Sequence, residues 1–204
     1  MCAPTWANGA DEGDKVVRIT LVTPAVNAAL RQVRFDDAPP DPSAARRAEA
    51  AAGSLPRHDI SLTAPSERCR STATALGLDA AVEKGLRDLD VGRWRGRSLD
   101  EVGRRAPEEV AAWLADPAAA PHGGESLLEL LDRVGGWLEG RAGHEESVLA
   151  VADPPVVRAA LVHALGVPAP AFWRLDAAPL TATELSGRSG RWNLRCGRPL
   201  TAAE

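Results

Sequence analysis

The sequence predicts an α/β fold, a three-layer α/β/α sandwich around a mainly parallel central sheet, on three observations. Short apolar runs rich in β-branched residues recur at VVRITLV, DISLTAP and SVLAVAD. Each is followed by turn residues, and in two cases directly by a stretch of helical period. At 204 residues and 45% hydrophobic, the chain can bury one sizeable core, and no internal repeat breaks it up.

Residues 1–14 mix Gly, Asn, Asp and Pro without periodicity and read as a flexible tail, leaving 15–204 as one domain. Val16 to Val22 reads as a buried strand, and Ser43 opens an Ala- and Arg-rich helix running to about Gly53. Asp59 to Pro65 is the next strand, with Ser66 placed to cap the helix ERCRSTATALG behind it. A short third strand is expected near Ala81 to Glu83. After the irregular LRDLDVGRWRGR, Ser98 and Glu101 have the spacing of a capping box. Leu127, Leu128, Leu131, Val134, Trp137 and Leu138 recur at helical spacing and predict a stripe packed on the sheet. SVLAVAD then feeds a helix from about Pro155 to Leu165, since proline fits the first helical turn. LTATELSGRSGRWNLRCG reads as two closing strands joined through Gly187 to Gly190, with room for an antiparallel edge.

Composition excludes several classes of function. A formal charge of -4 with both signs interspersed gives no overall attraction to nucleic acid or an anionic membrane. Cys2, Cys69 and Cys196 are an odd set without metal-ligand spacing, so neither a disulfide framework nor a metal site is expected. The opening residues lack a basic start followed by an apolar run, and no segment has the length of a membrane helix. A cytoplasmic protein without cofactors, monomeric or homodimeric, with a small-molecule ligand or a protein partner, is the resulting expectation.

In a parallel sheet, ligands bind beyond the carboxyl ends of the strands. That rule places Thr23, Pro24 and Ala25, Ser66 to Arg68, and Asp153 to Pro155 at one rim. Taken with their neighbours, these segments resemble the histidine phosphatase superfamily, its phosphoglycerate-mutase-like branch. TAPSERCRSTATALGL is similar to the family's SSPLxRAxQTAxALGL, and LRDLDVGRWRGRSLDEV to LrEidfGdWEGlsleEv. PHGGESLLELLDRV is similar to its PgGESl segment, and VLAVADPPVVRAALVHALGVP to VLvVsHGGvIraLlaalLGlp. The resemblance covers nearly all of Val16 to Leu194.

The family's reaction uses a nucleophilic histidine in an Arg-His-Gly turn, a second histidine after a later strand, two phosphate-binding arginines and a carboxylate that protonates the leaving group. Here the resemblance puts Thr23, Pro24 and Ala25 at the first turn, and Asp153, Pro154 and Pro155 at the second histidine and the residues after it. A proline nitrogen is an amide without an available lone pair and cannot attack phosphorus. The resemblance therefore implies a divergent member lacking both active-site histidines, a pseudoenzyme that keeps the cleft.

Arg68 matches the helix-borne phosphate arginine, Asp88 matches the leaving-group acid, and Arg34 falls where another basic residue is common. Thr23 stands in for the first-turn arginine, Arg95 for a glutamate and Leu30 for an asparagine. Trp94, His122 and Glu125 complete the ligand-binding candidates. The other histidines, His58, His144 and His163, read as surface or structural residues. Cys69 near a helix start could be an activated thiol or a packing residue. Two readings of the charged rim stay open: Asp153 pairs with Arg68 and quenches the old phosphate site, or Asp153 and Asp88 form an acid/base couple of another enzyme class.

Overall fold

A computed structural model describes residues 16–142, 144–188 and 190–202. The expected 1–14 tail lies outside the described residues. The first strand, β1 (Val17–Val22), alternates little in burial because helices cover both sheet faces. A short helix α1 (Ala28–Arg31) follows, capped by the Asn27 side chain, and then α2 (Pro42–Ala51). β2 (Ile60–Thr63) is shorter than DISLTAP suggested, and α3 (Glu67–Ala75) starts at Ser66, whose hydroxyl accepts from the Cys69 N–H. β3 (Ala81–Val82) is a two-residue edge strand, and α4 (Leu99–Arg105) carries the Ser98/Glu101 capping box with both halves formed.

Next comes α5 (Pro107–Ala115), which the sequence reading did not resolve, and then α6 (Leu127–Glu139). The buried face of α6 is Leu127, Leu130, Val134 and Leu138, whereas Leu128 is 42% exposed. The expected stripe is thus rotated, since several adjacent leucines fit more than one helical face. β4 (Ser147–Val151) and α7 (Pro154–Leu165) follow, the latter with prolines at its first two positions and Gly166 in the left-handed conformation closing it. β5 (Thr181–Arg188) and β6 (Arg191–Pro199) finish the chain.

The strands form one sheet in the order β3-β2-β4-β1-β5-β6. β3, β2, β4 and β1 pair in parallel, while β5 runs antiparallel to β1 and β6 antiparallel to β5. The expected antiparallel edge is therefore two strands wide. The carboxyl ends of β1, β2 and β4 open on the same side, so the segments after them share one rim.

Two loop segments shape that rim by backbone alone. The Glu125 N–H donates to the Asp90 carbonyl at 2.7 Å, and the Arg93 N–H to the His122 carbonyl at 3.0 Å. Gly92, at φ +46°, and Gly124 sit at this crossing. A Cβ on Gly124 would lie 2.1 Å from the Asp90 carbonyl oxygen, a contact that rigid backbone cannot relieve. Gly124→Ala is therefore expected to cost about 1–3 kcal/mol as overpacking does in a tight core, read as a lower denaturation midpoint. An unchanged midpoint would show that the two segments are not held this closely.

Candidate functional site

The rim encloses a cavity of about 830 Å³. Its apolar side includes Leu30, Phe35, Trp113, Phe172 and Trp173, and its charged side includes Arg34, Arg68, Asp88 and Arg158. Pro24, Pro154 and Pro155 line it as well, and so do Arg95 and Leu30 from the resemblance. Among the described residues that line it there is no histidine.

At the cavity floor the Arg68 guanidinium is held between two carboxylates. Its Nε donates to Asp153 Oδ1, and its Nη2 donates to Asp88 Oδ2 at 2.9 Å. Asp153 is fully buried and Arg68 is 5% exposed, whereas the Asp88 side chain is 37% exposed and faces the cavity. Burial alone would make Arg68 easier to deprotonate, but the Asp153 and Asp88 charges outweigh it and raise its pKa. Desolvation first, and the Asp153 charge second, push the Asp88 carboxyl up to about 7 against the opposing pull of Arg68.

The helix N-termini around the floor are also occupied from within the chain. The Glu67 and Arg68 N–H groups donate to the two carboxylate oxygens of Asp37, at 2.7 and 3.2 Å. An anion from solution would have to displace that carboxylate to use the α3 dipole. On α7, Pro154 and Pro155 bring no N–H, and the Val156 and Val157 N–H groups both go to the Asp153 carbonyl. Three anion-binding devices, one guanidinium and two helix ends, are thus satisfied or removed.

The remaining sequence-predicted residues divide between lining and support. Thr23, 1% exposed, does not line the cavity. Its hydroxyl accepts from the Thr181 N–H at 3.0 Å and donates to the Ala178 carbonyl, tying the first turn to the start of β5. Ala25 is buried, with its N–H on the Thr72 hydroxyl at 3.1 Å. Arg34 does line the cavity, but its Nη2 donates to the Gly96 carbonyl and its Nη1 lies 3.4 Å from Glu101.

Trp94 is buried behind the lining, edge-on to Trp113 at 5.4 Å and to His122 at 4.9 Å between ring centroids. His122 is 1% exposed. Its Nδ1 accepts from the Gly124 N–H, and burial lowers its pKa, so it packs as a neutral ring. Glu125 binds Arg133 through both oxygens at 2.7 Å and Arg87 at 3.0 Å. It steadies the cavity wall from behind.

Of the other histidines, His58 lies at the amino end of β2 against Ser61, His144 is exposed, and His163 contacts Glu139 at 2.7 Å. Burial first and the Asp153 charge second hold the Cys69 thiol well above its ordinary pKa, so it stays protonated and packs. Among the described residues no cluster of His, Cys, Asp or Glu is arranged to hold a metal ion, and no helix is long and apolar enough to cross a membrane.

Two contributors escaped the sequence reading. Asp37 sits in a polar loop, where nothing local announces a contact with a helix 30 residues on. Arg158 lies one turn beyond Pro154, and that i, i+4 spacing could have placed it on the face turned to the rim.

The raised Asp88 pKa has a defined sign. In roughly the interval from pH 4 to 7 the folded chain keeps a proton that the unfolded chain has released, so raising the pH through this window weakens the fold. Asp88→Asn has no proton to lose. Its melting temperature relative to the parent chain is expected to rise between about pH 5 and pH 8, and a flat difference would return Asp88 to the ordinary carboxylate range.

Comparison with known proteins agrees with this architecture. The chain is 32% identical over 122 residues to phosphoserine phosphatase 1 of Hydrogenobacter thermophilus, covering 56% of this chain and 58% of that protein. It is 38% identical over 96 residues to a bifunctional protein of Mycobacterium tuberculosis, covering 44% of this chain and 26% of that protein. The chain thus spans about a quarter of the one relative and somewhat over half of the other. The fold matches a solved mycobacterial glucosyl-3-phosphoglycerate phosphatase with TM-score 0.77 at 23% identity, covering 91% of this chain and all of that one. It also matches a putative alpha-ribazole-5'-P phosphatase from Escherichia coli with TM-score 0.80 at 19% identity, covering 92% and 98%. The family model described as histidine phosphatase superfamily (branch 1) matches residues 24–197, so the chain belongs to that superfamily.

Proposed function

We propose that this protein uses the phosphatase fold to bind a small molecule, in a regulatory or partner-directed role, and carries out no phosphohistidine chemistry. The observation that carries this reading is the capture of Arg68 by Asp153 and Asp88. A phosphate dianion approaching that floor meets a cation already matched by carboxylates. At an effective dielectric near 20, each added like charge at about 4 Å costs roughly 4 kcal/mol.

The resemblance supplies the second support. Pro24 stands at the position of the nucleophile and Asp153 at that of the second histidine, and the cavity lining offers no imidazole in their place. The relatives carry the names of phosphoserine and glucosyl-3-phosphoglycerate phosphatases, and in this reading the chain retains their scaffold without their reaction. It acts as a cytoplasmic protein without a cofactor.

A second reading is favoured by one observation, the Asp88 carboxyl with a pKa near 7 facing the cavity. Such a group can exchange a proton at neutral pH, as a lyase or isomerase requires. Asp153, sealed beneath Arg68, would serve there as its anchor rather than as the second acid/base.

The expected result with p-nitrophenyl phosphate is turnover at background, unimproved by Pro24→His alone. Robust hydrolysis abolished by Asp88→Ala would overturn the proposal. A complementary measurement uses Asp153→Asn, which keeps the shape and removes the carboxylate charge facing the Arg68 Nε. The variant is expected to lose about 3–5 kcal/mol of stability, as broken buried pairs do. Inorganic phosphate should raise its melting temperature while leaving that of the parent chain unmoved. Equal phosphate stabilisation of both would mean that Asp153 does not quench the site.

A further inference from the structure

The cavity has a second cationic group whose circumstances differ from those of Arg68. Arg158, on the second turn of α7, lines the cavity and stands over the Phe172 ring at 5.9 Å. Its Nε is buried and has no hydrogen-bond partner. The nearest carboxylate, Asp176, is 93% exposed and 3.9 Å from Nη2, at the outer limit of an ion pair. Of the other lining arginines besides Arg68, Arg31 is engaged closely with Asp41, Arg34 with the Gly96 carbonyl and Arg87 with Glu125, while Arg95, 3.6 Å from Asp90, is a solvated side chain 62% exposed. The Arg158 Nε–H is sealed from the cavity as well as from water, so the donors a ligand could use are the terminal guanidinium nitrogens of a side chain that is 28% exposed and only loosely paired.

The surroundings define the rest of the ligand. Trp173 packs edge-on against Phe172 at 4.9 Å and against Trp113 at 4.6 Å, and all three line the cavity. Leu30 and Phe35 add to the apolar lining. Flat rings and aliphatic side chains favour a flat apolar body, held by area burial and edge-to-face contact. The planar guanidinium fork matches a carboxylate with two parallel hydrogen bonds. A phosphate dianion needs several donors, and the helix ends that would provide them are already taken by Asp37 or lost to Pro154 and Pro155.

We infer that the cavity takes a small carboxylate with a flat apolar body, its carboxylate on Arg158 and its body against Trp173 and the facing apolar wall. This rests on the reading of the chain as a binding protein whose Arg68 site is closed. It moves the anion-binding point of the cavity from the floor to the wall.

The test uses the full chain and three probes sharing a phenyl ring: phenylacetate, phenylacetamide and phenyl phosphate. Binding is followed by tryptophan fluorescence, because Trp113 and Trp173 line the cavity. Phenylacetate is expected to bind saturably, and each of the other two about tenfold or more weakly, the scale of one charge-assisted hydrogen bond. Arg158→Gln should lose about tenfold of the phenylacetate affinity and leave phenylacetamide unchanged. Should that variant fail to fold, Arg158→Lys keeps the charge and removes the fork, and is expected to bind phenylacetate severalfold more weakly than the parent.

No saturable phenylacetate binding, equal affinity for phenylacetamide, or affinity unaltered in the folded Arg158 variants would overturn the carboxylate subsite alone. Hydrolysis of phenyl phosphate would overturn both this inference and the proposed function, because the anion would then be seated on Arg68.

Discussion

The chemistry of this molecule depends on one ion triad, the buried Arg68 between the buried Asp153 and the partly exposed Asp88. A guanidinium nearly sealed from water must be matched, since leaving such a charge unpaired costs several kcal/mol. Where a ligand anion supplies the match, the group is a binding site. Where the chain's own Asp153 supplies it from a fully buried position, the same arginine becomes a strut that fixes α3 to the start of α7. The second carboxylate is desolvated first and repelled by the Asp153 charge second, which is why Asp88 holds its proton toward neutrality.

The neighbouring contacts point the same way through different physics. Asp37 fills the α3 N-terminus with a carboxylate, and two prolines strip the α7 N-terminus of donors. Thr23, a neutral residue at the first turn, spends its hydroxyl on the start of β5. Each leaves fewer donors for an anion from solution, and the contacts made within the chain also tie the scaffold together. The sheet, the capping boxes and the glycine crossing at Gly92 and Gly124 hold the cavity open while its floor is closed. A floor occupied from within the chain and an open cavity are therefore compatible.

What remains accessible is a wall, not a floor. Trp94 and His122 stand behind that wall, packed against Trp113, and act on a ligand only through the position they give it. Glu125 does the same for Arg87 through its charge. In the proposed reading the ligand would meet Trp173, backed by the buried Trp113 and Phe172, beside the loosely paired Arg158, a combination that would select by shape and by a single negative charge.

The amino-acid order by itself determined the strand and helix succession, the shared rim at the ends of β1, β2 and β4, and the identity of the residues at the floor. Those properties follow from local signals: β-branched runs, capping residues and a proline that can only start a helix. It also left open whether Asp153 would pair with Arg68, since two residues 85 positions apart meet only if the sheet brings their strands together. The face of α6 that is buried, the placement of Trp94 behind the wall and the role of Asp37 were decided by packing in three dimensions. Runs of leucine, a lone tryptophan and an acidic loop each satisfy more than one local pattern, and only the neighbours supplied by the tertiary fold choose among them.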